Sequence, residues 1–205
     1  MLTDSQQQWL HSERIKLLTS MAPFAAVATA INAGLLTVIL WKPSSSVMLL
    51  SWLACMLTIA GLQYVLVYKE SPRWETWFIA GAALSGFAWG SASIILFPRE
   101  SLGAQVFLAL IIGALAAKAV PVLSPLLSAY VAYILASLLP ITIRFLIMRD
   151  EIHLAMGALG VGYMIVMLVT AWRAHQMFMT SLTLRLEKNA LIENLTAEIN
   201  ERTRL

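Results

Sequence analysis

Histidine offers the widest chemistry of any side chain in this sequence, and the three present are poorly spaced for it. His11 falls in a charged N-terminal stretch, His153 opens the last long apolar run, and His175 follows that run. On one helix His153 and His175 would stand about 33 Å apart at the helical rise per residue, too far to share a metal or a haem. The sequence contains no His-Glu-x-x-His, no Gly-x-Ser-x-Gly and no phosphate-cradling glycine loop. Asp150-Glu151, the one adjacent acidic pair, reads as a solvated turn. Cys55 stands alone in an apolar run, which leaves neither a disulfide nor a set of thiolate ligands. The expectation is a chain that is no enzyme in itself and binds no cofactor.

Polar side chains inside apolar runs carry more information. Asn32 and Gln63 need partners there, because hydrocarbon supplies none. An interhelical hydrogen bond is the plainer use of each. The sharper reading adds Trp89, Phe87 and Tyr133 and makes the five the lining of a mostly apolar cavity with two orienting polar groups. Such a cavity suits an amphiphile or lipid-like ligand entering from the bilayer. Gly86-Phe87-Ala88-Trp89-Gly90 has the G-x-x-x-G spacing that lets helices approach closely, and small residues around Gly113 offer a matching face. Pro140, inside another apolar run, frees a carbonyl and is the expected hinge. Lys118 and Arg144 lie near the ends of their runs, within reach of water by snorkelling.

The elements that position these residues follow from composition. Hydrophobic residues make up 60% of the chain and charged residues 12%, against about 25% charge in soluble domains. The apolar residues fall in unalternating blocks of about twenty, the length of a membrane-crossing helix and not the pattern of a barrel. The fold class is therefore all-α: a polytopic membrane protein with six transmembrane helices, near residues 19–41, 46–68, 75–97, 102–120, 126–148 and 152–172. Residues 1–18 read as an amphipathic helix lying in the interface. Residues 19–172 form the membrane domain, and residues 173–205 a cytoplasmic signalling helix. The proline-bounded link from Pro121 to Pro125 is short enough to make spans 4 and 5 antiparallel neighbours.

Basic residues orient the chain. With a cytoplasmic N-terminus, that side collects Arg14, Lys16, Lys69, Arg73, Lys118, Arg173, Arg185 and Lys188. The other side has Lys42, Arg99, Arg144 and Arg149, so both termini are expected in the cytoplasm. A five-span arrangement would put the tail outside and lose this bias. The net charge of +3 lies mostly in loops and gives no signal for nucleic acid. Spans 1–3 and 4–6 do not repeat one another, which weighs against a transporter or channel; a structural assembly module is the other alternative.

The last span continues past Trp172 without proline or glycine, through residues that favour helix. In that continuation Ile192, Leu195 and Ile199 follow the spacing of a coiled-coil seam, and a parallel homodimer is the expected state. Nothing at Asn200-Glu201-Arg202-Thr203-Arg204-Leu205 stops the helix, which suggests a longer protein with a further domain.

Taken in order, the short amphipathic start, six spans, Ala83–Gly90 in the third, the turn after the fourth and the helical exit Leu186–Leu205 form a recognisable layout. It resembles the N-terminal membrane sensory modules of bacterial sensor histidine kinases and of GGDEF/EAL cyclic-di-GMP signalling proteins. The resemblance implies a homodimer in the bacterial inner (cytoplasmic) membrane, two-component or cyclic-di-GMP signalling, and a cytoplasmic output domain that holds any enzymatic activity. A membrane-associated or amphiphilic cue would be relayed to that domain through the exit helix.

Overall fold

The structure, a computed structural model, describes residue 23 and residues 26–41, 46–67 and 74–203, with the backbone alone at several positions beyond 188. The expected interfacial helix at 1–18, the first residues of span 1 and the loop from Lys69 to Arg73 lie outside the described residues. All regular structure among the described residues is helical. Six helices follow in order: α1 (Ala26–Leu40), α2 (Ser46–Val67), α3 (Trp74–Ile95), α4 (Leu102–Leu123), α5 (Leu127–Met148) and α6 (Glu151–Thr203).

Helices α2 to α6 are each long and apolar enough to cross a membrane, whereas the described part of α1 is apolar but shorter. Large apolar side chains such as Val38, Leu110, Ile147, Leu159 and Ile165 are exposed around the outside. A water-soluble bundle would bury such residues, and a lipid-facing surface leaves them out. The chain is a membrane-embedded, all-helical protein.

Helix α5 is the hub, packed on α3, α4 and α6, while α2 is held through α3. The closest approach is between α3 and α5, and glycine permits it. A methyl group at Gly86 would run into the Tyr133 carbonyl oxygen, and one at Gly90 into the Ala136 carbonyl oxygen and the Pro140 ring. Proline has no N–H, so Pro140 leaves the carbonyl of Ala136 without its helical partner. The Gly90 backbone comes against that oxygen, so closely that a side chain at this position would overlap it. This corrects the expected pairing of spans 3 and 4 through Gly86, Gly90 and Gly113. Helices α3 and α4 touch only slightly, and Gly113 instead faces the Tyr163 ring of α6, which a methyl group added at Gly113 would meet at 3.7 Å.

Span 4 also differs at its end. Helix α4 continues through Pro121 to Leu123, and the Ser124 N–H closes it on the Val120 carbonyl at 2.9 Å. Proline's fixed φ is helical and its missing N–H removes a single bond, so the last turn survives. At the other end of the bundle α5 stops at Arg149 in the left-handed conformation (φ 58°), and Asp150 caps α6 by accepting the His153 N–H at 2.8 Å. From there α6 runs unbroken for 53 residues, roughly 80 Å, well over twice the thickness of a hydrocarbon core.

Candidate functional site

Three polar side chains of α6 reach α4, spaced along the bundle. At the start of α6, His153 Nε2 lies 2.6 Å from Gln105 Oε1. Ten residues on, the Tyr163 hydroxyl donates to the Gly113 carbonyl at 2.7 Å. Near the other end His175 Nδ1 lies 2.7 Å from the Ser124 carbonyl oxygen, immediately after α4. A fourth contact with α4 comes from α5, where the Tyr130 hydroxyl donates to the Ala116 carbonyl at 3.2 Å. The long helix is thus fixed to α4 by a ladder of hydrogen bonds, each of order 1 kcal/mol in a membrane setting.

The His153 rung is the most elaborate. Ser101 starts α4, accepting the Ala104 N–H at 3.3 Å, and this places Gln105 in the first turn, 2% exposed. Gln105 Nε2 donates back to the Pro98 carbonyl at 2.9 Å and to the Arg99 carbonyl at 3.4 Å, closing the α3–α4 turn. Carbonyls only accept, so the amide nitrogen must face them and the amide oxygen must face His153. His153 Nε2 therefore donates. Its Nδ1 lies 2.6 Å from both oxygens of Asp150 and donates there as well. A ring set between two acceptors meets both at once only as the imidazolium, with the Asp150 carboxylate as its ionic partner.

Aromatic groups close the site from α5 and from the end of α3. The Phe145 ring lies 5.8 Å from the imidazole and 6.0 Å, edge-on, from Phe97, whose face carries the Arg144 guanidinium at 4.7 Å. Asp150 itself is exposed. The His153 backbone N–H and then the His153 ring hold its carboxyl below the usual carboxylate range. The result is a chain of groups from water through Asp150 and the buried His153 to Gln105 and the α3–α4 turn. Among the described residues no three His, Cys, Asp or Glu side chains converge to hold a metal.

The residues proposed from sequence as a ligand cavity take separate places. Trp89 is buried between α2 and α3, where Trp52 meets it edge-on at 5.6 Å and donates its indole N–H to the Ala88 carbonyl at 3.1 Å. Tyr133 is buried where α5 meets Gly86. Phe87 is 62% exposed on the outer surface. Gln63 donates to the Gly81 carbonyl, joining α2 to α3, and the Asn32 amide bonds Ala28 of its own helix at 2.7 Å. The five side chains are spread over α1, the α2–α3 seam, the α3–α5 seam and the outside. Ile192, Leu195 and Ile199 are exposed along the far part of α6.

The sequence reading does not single out Gln105, Tyr163 or Tyr130. The signal for Gln105 is the one that marks Asn32 and Gln63, a lone amide in an apolar run, here Leu-Gly-Ala-Gln-Val-Phe-Leu. The tyrosines carry no such signal, because a hydroxyl at the end of a ring is at home in either a core or an interface.

No family model, curated protein or solved structure matches this chain.

Proposed function

We propose that this chain is a transmembrane sensory module whose output is the position of α6. One observation carries the reading: a single 53-residue helix begins in a buried polar cluster, is fixed to α4 by three side chains, and continues far beyond the bundle. A rigid helix of this kind moves as a unit, so a change at His153 is felt at Leu195 without any hinge between them. The ladder consists of discrete bonds, which gives the helix bound and released arrangements for a stimulus to choose between. Gln63, Gln105, Tyr130 and Tyr163 all donate to backbone carbonyls of neighbouring helices or turns, which fits a packed relay better than a polar permeation path.

In this reading α1 is the sixth span and both termini lie in the cytoplasm of a bacterial inner membrane, as the bias of basic residues supports. Two copies pair in parallel along Ile192, Leu195 and Ile199, whose exposure in the single chain leaves an apolar stripe in water. The aqueous half of α6 then hands the bundle's state to a cytoplasmic output, a kinase or a cyclic-di-GMP enzyme. Cysteines introduced singly at 192, 195 and 199 in a Cys55→Ser background test the pairing in nanodiscs. The proposal expects strong disulfide cross-linking at these positions and weak cross-linking at Glu187 and Asn200, which that heptad frame turns away from the seam. Uniformly weak cross-linking would overturn it.

A further inference from the structure

The cluster at the start of α6 bears on what the module senses. It lies at the opposite end of the membrane part of α6 from the aqueous half, so whatever binds there comes from the other compartment. Its outermost group, Asp150, is exposed, while His153 and Gln105 behind it are buried. Phe145 and Phe97 set an apolar wall beside the imidazole, and a proton can reach the ring by way of the exposed Asp150.

We propose that the stimulus is the hydrogen ion, taken up at His153 Nε2 and read as a change in the hydrogen bond to Gln105. Histidine changes charge between about pH 5 and 8, which gives such a site a physiological range. With the proton on Nε2, the ring donates to Asp150 and to Gln105, while Gln105 donates to Pro98 and Arg99, and every bond in the chain is satisfied. Loss of that proton leaves Nδ1–H on the carboxylate and turns the Nε2 lone pair toward the Gln105 oxygen. Two acceptors at 2.6 Å repel. Turning the amide over would satisfy His153, but it would set the amide oxygen against the Pro98 and Arg99 carbonyls and open the α3–α4 turn. Either the turn or the α4–α6 contact must therefore yield. Deprotonation releases α6 at this end, and the rigid helix then tilts about its contacts at Tyr163 and His175, which carries the change to its far half.

The charged groups around this end are Asp150 and Glu151 at the start of α6, Arg144 and Arg149 at the end of α5, and Arg99 and Glu100 in the α3–α4 turn. Among the described residues Asp150 is the charged group hydrogen-bonded to the ring, while the Arg144 guanidinium is placed over Phe97. The ring's proton is thus governed by one carboxylate and one amide oxygen.

This assignment rests on the sensory reading for its purpose but not for its test. The full chain with 15N-labelled histidine, in phosphatidylcholine nanodiscs, is titrated by NMR between about pH 5 and 8, and His153→Asn identifies the resonance. Spin labels at Arg99 and Ile152 in a Cys55→Ser background report the turn-to-α6 distance. The expected result is two proton-bearing ring nitrogens at the acidic end, one at the alkaline end, and a distance change of about 1–2 Å over the same interval. Gln105→Glu, which replaces the neutral acceptor by an anionic one, should move both transitions to higher pH. A His153 ring that keeps one protonation state throughout overturns the proposal, as does titration with no change in distance, or a Gln105→Glu transition that stays put or moves down. If the turn responds but labels at Leu195 of two copies do not, the proton site stands and the sensory reading falls.

Discussion

Gly90 of α3 lies against the carbonyl oxygen of Ala136 in α5, the one group in that helix that Pro140 deprives of its N–H. The contact joins the G-x-x-x-G seam and the proline of α5 into one feature. It also explains why neither position tolerates bulk: the neighbour is backbone, which cannot rotate away.

Gly90→Ala and Gly86→Ala should therefore each destabilise the bundle by about 1–3 kcal/mol, the usual cost of overpacking. Gly34→Ala and Gly103→Ala, whose added methyl meets nothing within 4 Å, should be neutral or slightly stabilising. Thermal unfolding in mild detergent separates the two pairs. Equal effects at Gly90 and Gly34 would refute the packing account.

Tyr163→Phe removes one rung of the ladder and little else. The expected loss is about 0.6 kcal/mol, with roughly 1.7 kcal/mol as a ceiling for a membrane hydrogen bond. Trp52→Phe, which gives up the bond to the Ala88 carbonyl, should cost a similar amount and act on the α2–α3 seam instead. Hydrogen exchange should show loosening near Gly113 in the first variant and near Ala88 in the second. Loosening in the wrong seam would count against the assignments.

Acid stability carries a sign. The Asp150 carboxyl is held below its ordinary range by the His153 N–H and ring. A carboxyl depressed in the folded state contributes fully above its unfolded value, near pH 4, and that contribution disappears as pH falls through the folded value. Wild-type protein should lose thermal stability from about pH 5 downward more steeply than Asp150→Asn, because asparagine can still cap α6 but has no charge to lose. Parallel curves for the two proteins would remove the carboxylate from the account.

Much of the architecture was legible because the bilayer demands simple patterns. The apolar blocks marked α2, α3 and α5 to within two residues at each end, since a spanning helix must satisfy its own backbone. The run free of proline and glycine beyond Gly162 likewise pointed to a continuous α6. Partners were harder to read. Gly86 and Gly90 announce a close approach, but a small residue does not say whose backbone will arrive, and α5 rather than α4 does. Phe87 and Trp89 could have been separated in advance. Two residues apart on a helix is about 200° around it, so burying Trp89 turns Phe87 outward. The His153 cluster was the least accessible. Gln105 and His153 are 48 positions apart, and only the antiparallel return of α5 brings α4 and α6 side by side.

The central claim is that α6 carries the state of the bundle to its aqueous half. The direct measurement is the distance between spin labels at Leu195 of two copies in nanodiscs, compared between wild type and Gln105→Leu, which removes the acceptor for His153. The account predicts a defined distance in the wild type, fitting helices paired about 8–10 Å apart, and a shifted or broadened distribution when the rung at His153 is removed. Absence of any inter-copy signal, or one distribution shared by both proteins, would contradict it.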